Sequence, residues 1–375
     1  QGRILRLKIP YTIALRKGDA QESRSKGSVS RSSVSSTMRA LGVDFAPLNI
    51  PLKRRMQTLA VLFCAFLFFL NVVWGAALFA YLLFFTPFYY VPLLYTIWMV
   101  YDFKTPKRGG RPNGWVRRWL VWKYARDYYP VSLVKTGELD PNRNYIFGYH
   151  PHGISCVGAF LNFGTDATGF SELYPGITTL LLTLNINVHC PLSRELCLLY
   201  GLVSADRDSL QWILTKQDVS NATVVVVGGA QEALDAHKGK SVLTLRNRKG
   251  FVRCALQCGA DLVPVFSFGE NDIYYQAKNP PGSKLRCFQE KMKALTGFAP
   301  VIFHGRGIFQ YNFGYVPFRE RIATVVGKPI GVPKIENPTA EDVSFWHEKY
   351  ITALTELFEE HKAKCGAKDA SLTVL

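Results

Sequence analysis

Two histidines separated by one proline are the best candidates for proton-transfer chemistry in this chain. They are His150 and His152, in the segment Tyr149–Gly153. Histidine is the side chain best suited to moving protons near neutral pH, and the intervening proline restricts how the two rings are presented. Gly153 lets the backbone turn or approach another group closely. The pattern predicts a rigidly held histidine pair, although an ordinary strand-to-loop corner also explains it.

A carboxylate follows a second glycine-containing turn. The apolar run Val224–Val227 leads into Gly228 and Gly229, and Glu232 comes three residues later. A carboxylate near an imidazole can fix its tautomer and stabilise the imidazolium. Backbone N–H groups exposed by glycines, here and at Gly153, can hold an oxyanion. The alternative is a strand–turn–helix corner with a solvated acid in the first helical turn.

A basic cluster without any acid occupies residues 237–253. Its central members are Arg246, Arg248 and Lys249, which suit a phosphate-bearing ligand through charge-assisted hydrogen bonds. Arg306, in another compact Gly/Arg turn, is a further candidate for the same ligand. An ordinary solvated basic face is the alternative.

Metal binding is the rival interpretation of the two histidines. Cys156, His189 and Cys190 could complete a ligand set with His150 and His152. Their spacing fits no common zinc pattern, and a second paired Cys/His element is missing. We therefore expect no metal at this site.

Short apolar runs separated by helical patterns must position these groups. They predict an α/β fold with a mixed or largely parallel sheet. Both turns follow strand ends, so we expect the histidines and Glu232 to meet at one edge of the sheet. A final helix is predicted after a cap at Thr339. The predicted strands are Tyr145–Tyr149, Thr223–Val227, Leu262–Phe266 and Ala323–Val326.

The segment Met56–Tyr101 has 46 residues without a formal charge. As a helix it would extend about 69 Å, or roughly two crossings of a hydrocarbon core about 30 Å thick. Basic residues flank both ends, which places both on the cytosolic side. We predict a membrane-embedded helical hairpin, either spanning twice or re-entrant, with bends at 71–75 and at Thr86-Pro87. A buried helical core is the alternative.

The net charge of +17 is unevenly distributed. Residues 1–55 carry 12 Lys/Arg and 3 Asp/Glu, a net of +9, and the other 320 residues carry +8. A basic segment before an apolar one suits an anionic membrane surface, and no nucleic-acid-binding motif is visible. Eight scattered cysteines indicate free thiols in a reducing compartment. The expected organisation is a disordered basic, Ser-rich tail (1–42), a membrane entry segment and hairpin (43–101), and a cytosolic-facing α/β domain (102–375).

Together these motifs resemble the eukaryotic monoacylglycerol/diacylglycerol acyltransferase family. The resemblance implies a glycerolipid acyltransferase-like mixed sheet with flanking helices, acyl-CoA as co-substrate without another cofactor, and a neutral glycerolipid acceptor. It also implies residence in the endoplasmic reticulum membrane or on lipid droplets. Six elements carry it, in order from about Val43 to the C-terminus: Arg126–Pro130, Tyr149–Gly153, Val227–Glu232, Arg246–Phe251, Phe266–Asn271 and His304–Gly307.

Several stretches look most like monoacylglycerol acyltransferases, whereas the basic tail looks more like a diacylglycerol acyltransferase. We therefore expect a monoacylglycerol acceptor, with diacylglycerol as the alternative. In the implied mechanism His152 is the general base, His150 shapes the site or donates a hydrogen bond, and Glu232 orients or charges the imidazole. A metal-dependent lipid hydrolase and a non-catalytic lipid-binding scaffold are the alternatives outside the family. The oligomeric state, including a homo-oligomer, stays open.

Overall fold

The structure is a computed structural model that describes residues 38–40, 42–47, 49–216 and 220–375. Most of the predicted tail, residues 1–42, lies outside the described residues. Its disorder therefore stays a prediction.

A mixed seven-stranded sheet forms the centre of the described chain. In space the strands follow the order β1-β7-β6-β2-β5-β3-β4, and β2 and β6 are buried at every position. Strands β2 to β6 run parallel to one another, whereas β1 and β7 run in the opposite direction. The predicted mixed α/β fold is confirmed. The strands are β1 (Ser132–Lys135), β2 (Tyr145–His150), β3 (Ile177–Thr183), β4 (Leu202–Ser204), β5 (Ser220–Val226), β6 (Asp261–Phe268) and β7 (Ala323–Val326).

Helices precede the sheet and connect its strands. The last one, α14, begins with the predicted cap, because Thr339 and Asp342 exchange side-chain and backbone hydrogen bonds. The α-helices are α1 (Leu52–Ala65), α2 (Asn71–Phe85), α3 (Tyr90–Tyr101), α4 (Gly114–Arg117), α5 (Leu120–Tyr128), α6 (Val157–Ala159), α7 (Phe170–Leu173), α8 (Asn185–His189), α9 (Ser193–Leu199), α10 (Arg207–Thr215), α11 (Gly229–Leu234), α12 (Gly250–Cys258), α13 (Lys284–Thr296) and α14 (Ala340–His361).

In the part of the chain that the structure describes, three short two-stranded pairs lie outside the main sheet. Two are antiparallel, Met38–Ala40 with Val43–Phe45 and Tyr275–Gln276 with Phe303–His304. The third pairs Ser241–Leu243 in parallel with Leu372–Val374, which ties the C-terminal end to the first part of the basic cluster.

One helix of membrane-spanning length occurs among the described residues. It runs from Leu52 to Phe85, since the π-helical segment Phe66–Leu70 joins α1 to α2, and its 34 residues are apolar enough to cross a membrane by length and composition. Helix α3 has 12 residues and extends about 18 Å, less than a hydrocarbon core. A second crossing is therefore not established.

Of the two predicted bends, the one at Thr86-Pro87 is present, because the helix ends at Phe85. At 71–75 the chain stays helical, directly after the π-helical segment Phe66–Leu70. Asn71 and Gly75 pack against the segment at the start of helix α9. The Asn71 side chain donates to Ser193 Oγ at 2.7 Å, and a Cβ on Gly75 would overlap the carbonyl oxygen of Pro191.

The first part of this long helix packs against the core of the α/β fold. Gln57, Val61 and Cys64 are buried, and the Phe63 ring lies 5.7 Å from the Trp122 ring of α5. Large apolar side chains of the second part are exposed instead, among them Tyr81, Phe84 and Phe85. The helix therefore belongs partly to the protein core and partly to an unpartnered apolar surface.

Candidate active site

The histidine motif and the glycine–glutamate motif meet at one edge of the sheet. Strands β2 and β5 are parallel neighbours, with Tyr149 opposite Val226, so the segments that follow them leave on the same side. The backbone N–H of His152 donates to Glu232 Oε2 at 2.8 Å. This contact confirms that the two motifs converge.

Glu232 contacts the backbone of the histidine turn, whereas the sequence analysis expected contact with the imidazole. Its second oxygen, Oε1, accepts from the backbone N–H of Thr244 at 2.8 Å. The side chain is 2% exposed, so the solvated alternative is wrong. Burial raises the pKa of Glu232 to about 7, against the lowering effect of the two backbone hydrogen bonds. Gly228 makes room for this carboxylate, because a Cβ there would overlap it.

The His152 ring has one nitrogen held by the protein, and its other nitrogen has no hydrogen-bond partner among the described residues. Nδ1 lies 2.9 Å from the backbone oxygen of Gly153. A carbonyl oxygen only accepts hydrogen bonds, so Nδ1 carries the proton and Nε2 presents a lone pair. The side chain is partly exposed, and burial lowers its pKa, which favours the neutral ring. His152 can therefore accept a proton at Nε2.

His150 is sealed inside the protein. It is 0% exposed, and burial lowers its pKa to about 3. Its Nε2 lies 2.9 Å from the hydroxyl of Tyr350, which in turn donates to the Gly148 carbonyl oxygen at 3.0 Å. Of the two histidines, only His152 is partly accessible.

A second buried carboxyl lies beside the same turn. Glu270, just after β6, accepts at Oε2 from the Tyr149 hydroxyl at 2.8 Å and from the Gly158 backbone N–H at 2.9 Å. A Cβ on Gly153 would lie 2.8 Å from its Cγ. Burial raises its pKa to about 7. The sequence signal was a third strand end, that of the predicted strand Leu262–Phe266, followed by Gly269-Glu270.

The raised pKa of Glu270 predicts a pH-dependent stability. Its pKa is 4.5 as a free side chain and about 7 in the fold. The folded state therefore binds more protons between these values, and the unfolding free energy falls as pH rises through this window, by up to about 3 kcal/mol. We expect Glu270→Gln to lose less stability than wild type between pH 5.5 and 7.5, measured by denaturant unfolding.

The matched control for this experiment is Glu138→Gln. The Glu138 side chain is 87% exposed, so its removal should leave the wild-type pH slope unchanged. An unchanged slope in Glu270→Gln as well would contradict the prediction.

The basic cluster adjoins the same edge. Arg246 and Arg248 are exposed, and Lys249 Nζ donates to Ser344 Oγ at 2.9 Å on α14. Their loop follows Thr244, whose backbone N–H is bound by Glu232. The three basic residues therefore lie within a few residues of a group that touches the histidine turn.

Arg306 does not join this cluster in the way the sequence analysis expected. It is 9% exposed, and its three nitrogens donate to Tyr128 Oη, the Gly307 carbonyl oxygen and Thr58 Oγ1 at 3.0, 2.9 and 3.3 Å. The guanidinium also lies over the rings of Tyr128 and Tyr311. These contacts fasten its loop to α1, so phosphate binding by Arg306 is not supported.

The alternative metal set is not assembled. Cys190 Sγ donates to the Val72 carbonyl oxygen of the long helix at 3.3 Å, and the His189 ring packs 5.2 Å from the Phe103 ring. Cys156 alone adjoins the turn, where its Sγ lies 3.0 Å from the His152 carbonyl oxygen. Within the described ranges, no group of three or more His, Cys, Asp or Glu side chains could hold a metal ion.

Comparison with known proteins gives a consistent pattern. The family described as "Diacylglycerol acyltransferase" matches residues 81–375. The 2-acylglycerol O-acyltransferase 1 of Bos taurus is 51% identical over 326 residues, which cover 86% of this chain and 96% of that protein. The diacylglycerol O-acyltransferase 2 of Xenopus tropicalis is 49% identical over 320 residues, which cover 85% of this chain and 88% of that protein.

Among solved structures, a match is the crystal structure of the 1-acyl-sn-glycerophosphate acyltransferase PlsC of Thermotoga maritima. The sequence identity is 12% and the TM-score 0.37, with 80% of this chain and 95% of that chain covered.

Proposed function

Because this chain belongs to the diacylglycerol acyltransferase family, we propose that it transfers a fatty acyl group from acyl-CoA to a hydroxyl of monoacylglycerol, forming diacylglycerol. It is an acyltransferase, as its relatives are. The observation that carries the proposed mechanism is the partly exposed His152, whose Nδ1–H is held by the Gly153 carbonyl and whose Nε2 is left as the acceptor.

Diacylglycerol is the second candidate acceptor, with triacylglycerol as product. The observation that favours it is the 49% identity to a diacylglycerol O-acyltransferase 2 over 85% of this chain. That value is close to the 51% identity to a 2-acylglycerol O-acyltransferase 1. Either acceptor brings a free hydroxyl and requires the same transfer.

In the proposed reaction His152 Nε2 takes the proton of the acceptor hydroxyl while that oxygen attacks the thioester carbon. A C–O bond forms, the tetrahedral oxyanion collapses, and the C–S bond breaks. The leaving thiolate recovers the proton from His152, so CoA departs as the thiol. The Gly153 carbonyl stabilises the imidazolium through the Nδ1–H. General-base assistance of this kind contributes about 10²- to 10⁴-fold in rate.

The groups around His152 have separate proposed roles. Glu232 acts by holding the backbone of the turn. Backbone N–H groups at Gly153, Gly228 or Gly229 stabilise the oxyanion. Gly153 and Gly229 have φ values of 63° and 58°, which glycine adopts at little cost.

Arg246, Arg248 and Lys249 are the proposed contacts for the CoA phosphates. The exposure of Arg246 and Arg248, and the position of all three residues just after Thr244, which Glu232 binds, support this role. Guanidinium and ammonium groups form strong charge-assisted hydrogen bonds with phosphate oxygens.

The proposed location is the endoplasmic reticulum membrane, with lipid droplets as a further location. The long apolar helix supports a membrane site. In this proposal both ends of the helical hairpin lie in the cytosol. The chain then consists of a basic tail (1–42), a membrane entry segment and hairpin (43–101) and a cytosolic-facing α/β domain (102–375). Acylglycerols partition into the bilayer whereas CoA is water-soluble, so the active site should open at the cytosolic interface.

The test is an acyl-transfer assay with the purified full chain in lipid nanodiscs. Oleoyl-CoA is supplied with monoacylglycerol and diacylglycerol in parallel. Diacylglycerol from the first acceptor supports the main proposal, and triacylglycerol from the second supports the alternative. Arg248→Ala should raise the KM for oleoyl-CoA selectively, whereas Lys364→Ala, at an exposed position outside the basic cluster, should not. Absence of transfer to both acceptors, or release of free fatty acid alone, would overturn both candidates.

A further inference from the structure

The hydroxyl of Tyr350 connects the C-terminal helix to the histidine motif. Tyr350 is a fully buried residue of helix α14. Its hydroxyl oxygen lies 2.9 Å from His150 Nε2 and 3.0 Å from the Gly148 carbonyl oxygen. A Cβ on Gly148 would overlap this hydroxyl. The glycine in the buried strand β2 is thus required by the close approach of the tyrosine.

The two contacts of this hydroxyl determine where the protons lie. The Gly148 carbonyl can only accept, so the single hydroxyl proton points to it and the hydroxyl oxygen accepts from His150 Nε2–H. His150 Nδ1 then carries a lone pair, and it has no hydrogen-bond partner in the described part of the chain. The opposite tautomer would leave a buried N–H at Nδ1 unpaired, and orphaned N–H groups are rarer than under-satisfied acceptors.

This assignment changes the expected role of His150. In its neutral form the ring has already committed its only N–H to Tyr350, so it cannot donate a hydrogen bond to a substrate as the sequence analysis allowed. Its side chain instead fixes the start of the turn. A further contact to the turn is made by Glu232 at the His152 backbone N–H. The segment that carries the proposed base is thus held at His150 and again at His152.

We propose that Tyr350 is a positioning residue for acyl transfer, acting through His150. Its hydroxyl fixes the His150 tautomer and ring orientation and thereby the backbone that presents His152. Helix α14 then belongs to the active site although it contributes no group to the reacting atoms. The proposal rests on the proposed acyltransferase mechanism.

The first test compares Tyr350→Phe with Tyr145→Phe in the full chain. Tyr145 is the matched control, because it is also buried on β2 and its hydroxyl also binds a backbone carbonyl, that of Asp140, at 2.8 Å. We expect Tyr350→Phe to lower kcat about 10- to 100-fold, as loss of an orienting partner does elsewhere, with the KM for oleoyl-CoA unchanged. Tyr145→Phe should retain kcat. Equal kcat losses in the two variants would overturn the proposal.

The second test separates positioning from a purely structural effect. If Tyr350 acts through His150, then Tyr350→Phe should cause no further loss of kcat in a His150→Ala background. Multiplying losses would contradict the proposal.

A third readout needs no turnover. In ¹⁵N-histidine spectra of the wild type, His150 should be the Nε2-protonated tautomer, and Tyr350→Phe should produce a tautomer mixture. A wild-type His150 protonated at Nδ1 overturns the inference. Failure of the acyl-transfer assay would leave this spectrum informative, so the two failures are distinguishable.

Discussion

Replacement of His152 by glutamine should lower kcat for acyl transfer by about 10²- to 10⁴-fold, the usual contribution of a general base. Glutamine can still donate to the Gly153 carbonyl, but it provides no basic nitrogen in place of Nε2. The ring is partly exposed, so the thermal unfolding midpoint should change little. The measurement is steady-state kinetics with oleoyl-CoA and the acylglycerol that the wild type prefers.

The control is His304→Gln. His304 repeats the local arrangement of His152, since its Nδ1 lies 3.2 Å from the Gly305 carbonyl oxygen, but it lies on a separate two-stranded pair. It should keep kcat within about twofold if the loss in His152→Gln reflects the proposed base. Full activity in His152→Ala combined with an inactive His150→Ala would reverse the assignment of the base.

Replacement of Glu232 by glutamine should produce the other large effect. Each carboxylate oxygen accepts one backbone N–H, from His152 and from Thr244. An amide has one oxygen, so its NH₂ group must face one of these donors and displace it. We expect kcat to fall about 100-fold, since small displacements of catalytic groups have effects of this order. If the displaced donor is the Thr244 backbone N–H, the KM for oleoyl-CoA should also rise, because Thr244 precedes the loop of the proposed phosphate contacts.

The pH dependence gives this prediction a second readout. The Glu232 pKa is about 7, so the wild-type carboxyl gains a proton on acidification through that pH, and one oxygen stops being a pure acceptor. Wild-type kcat should therefore fall between pH 8 and 6, and Glu232→Gln should lack the Glu232 component of this fall. The control Glu290→Gln changes an exposed partner of Arg286 and should behave as wild type. Wild-type kinetics in Glu232→Gln would refute the role.

The sequence predicted those elements whose apolar runs are short and clearly bounded. Strands β2, β5, β6 and β7 were all anticipated, and Ala323–Val326 has the predicted bounds. Strand β4 has only three residues, which is too short for a period to be visible. Strand β3 contains three consecutive leucines before its last residue, Thr183, and helix α8 begins two residues later. Such an apolar run does not distinguish a strand from a helix.

The site residues that follow neighbouring strands were predictable from the sequence. Those that come from segments far away in the chain were not. His152 and Glu232 follow adjacent parallel strands, so their convergence follows from the topology. Tyr350 was one apolar position in a helical stripe, and nothing in the stripe indicates that its hydroxyl reaches β2. The contacts of Arg306 could not be predicted, because a Gly/Arg turn shows a charge but does not show which groups already bind it.

The packing of the long helix limits how deeply it can enter lipid. Contacts with the α/β fold extend from Gln57 to Gly75, through Asn71. Only residues 76–85 remain beyond this attached stretch, and they rise about 15 Å, half of a hydrocarbon core. Helix α3 is also attached to the fold, because the Tyr95 hydroxyl donates to Glu195 Oε1 at 3.0 Å and accepts from the Leu192 backbone N–H at 3.2 Å. We therefore propose that the free end of this helix reaches only one leaflet, as in the re-entrant form of the hairpin, a depth that would let the same protein sit on a phospholipid monolayer without rearrangement.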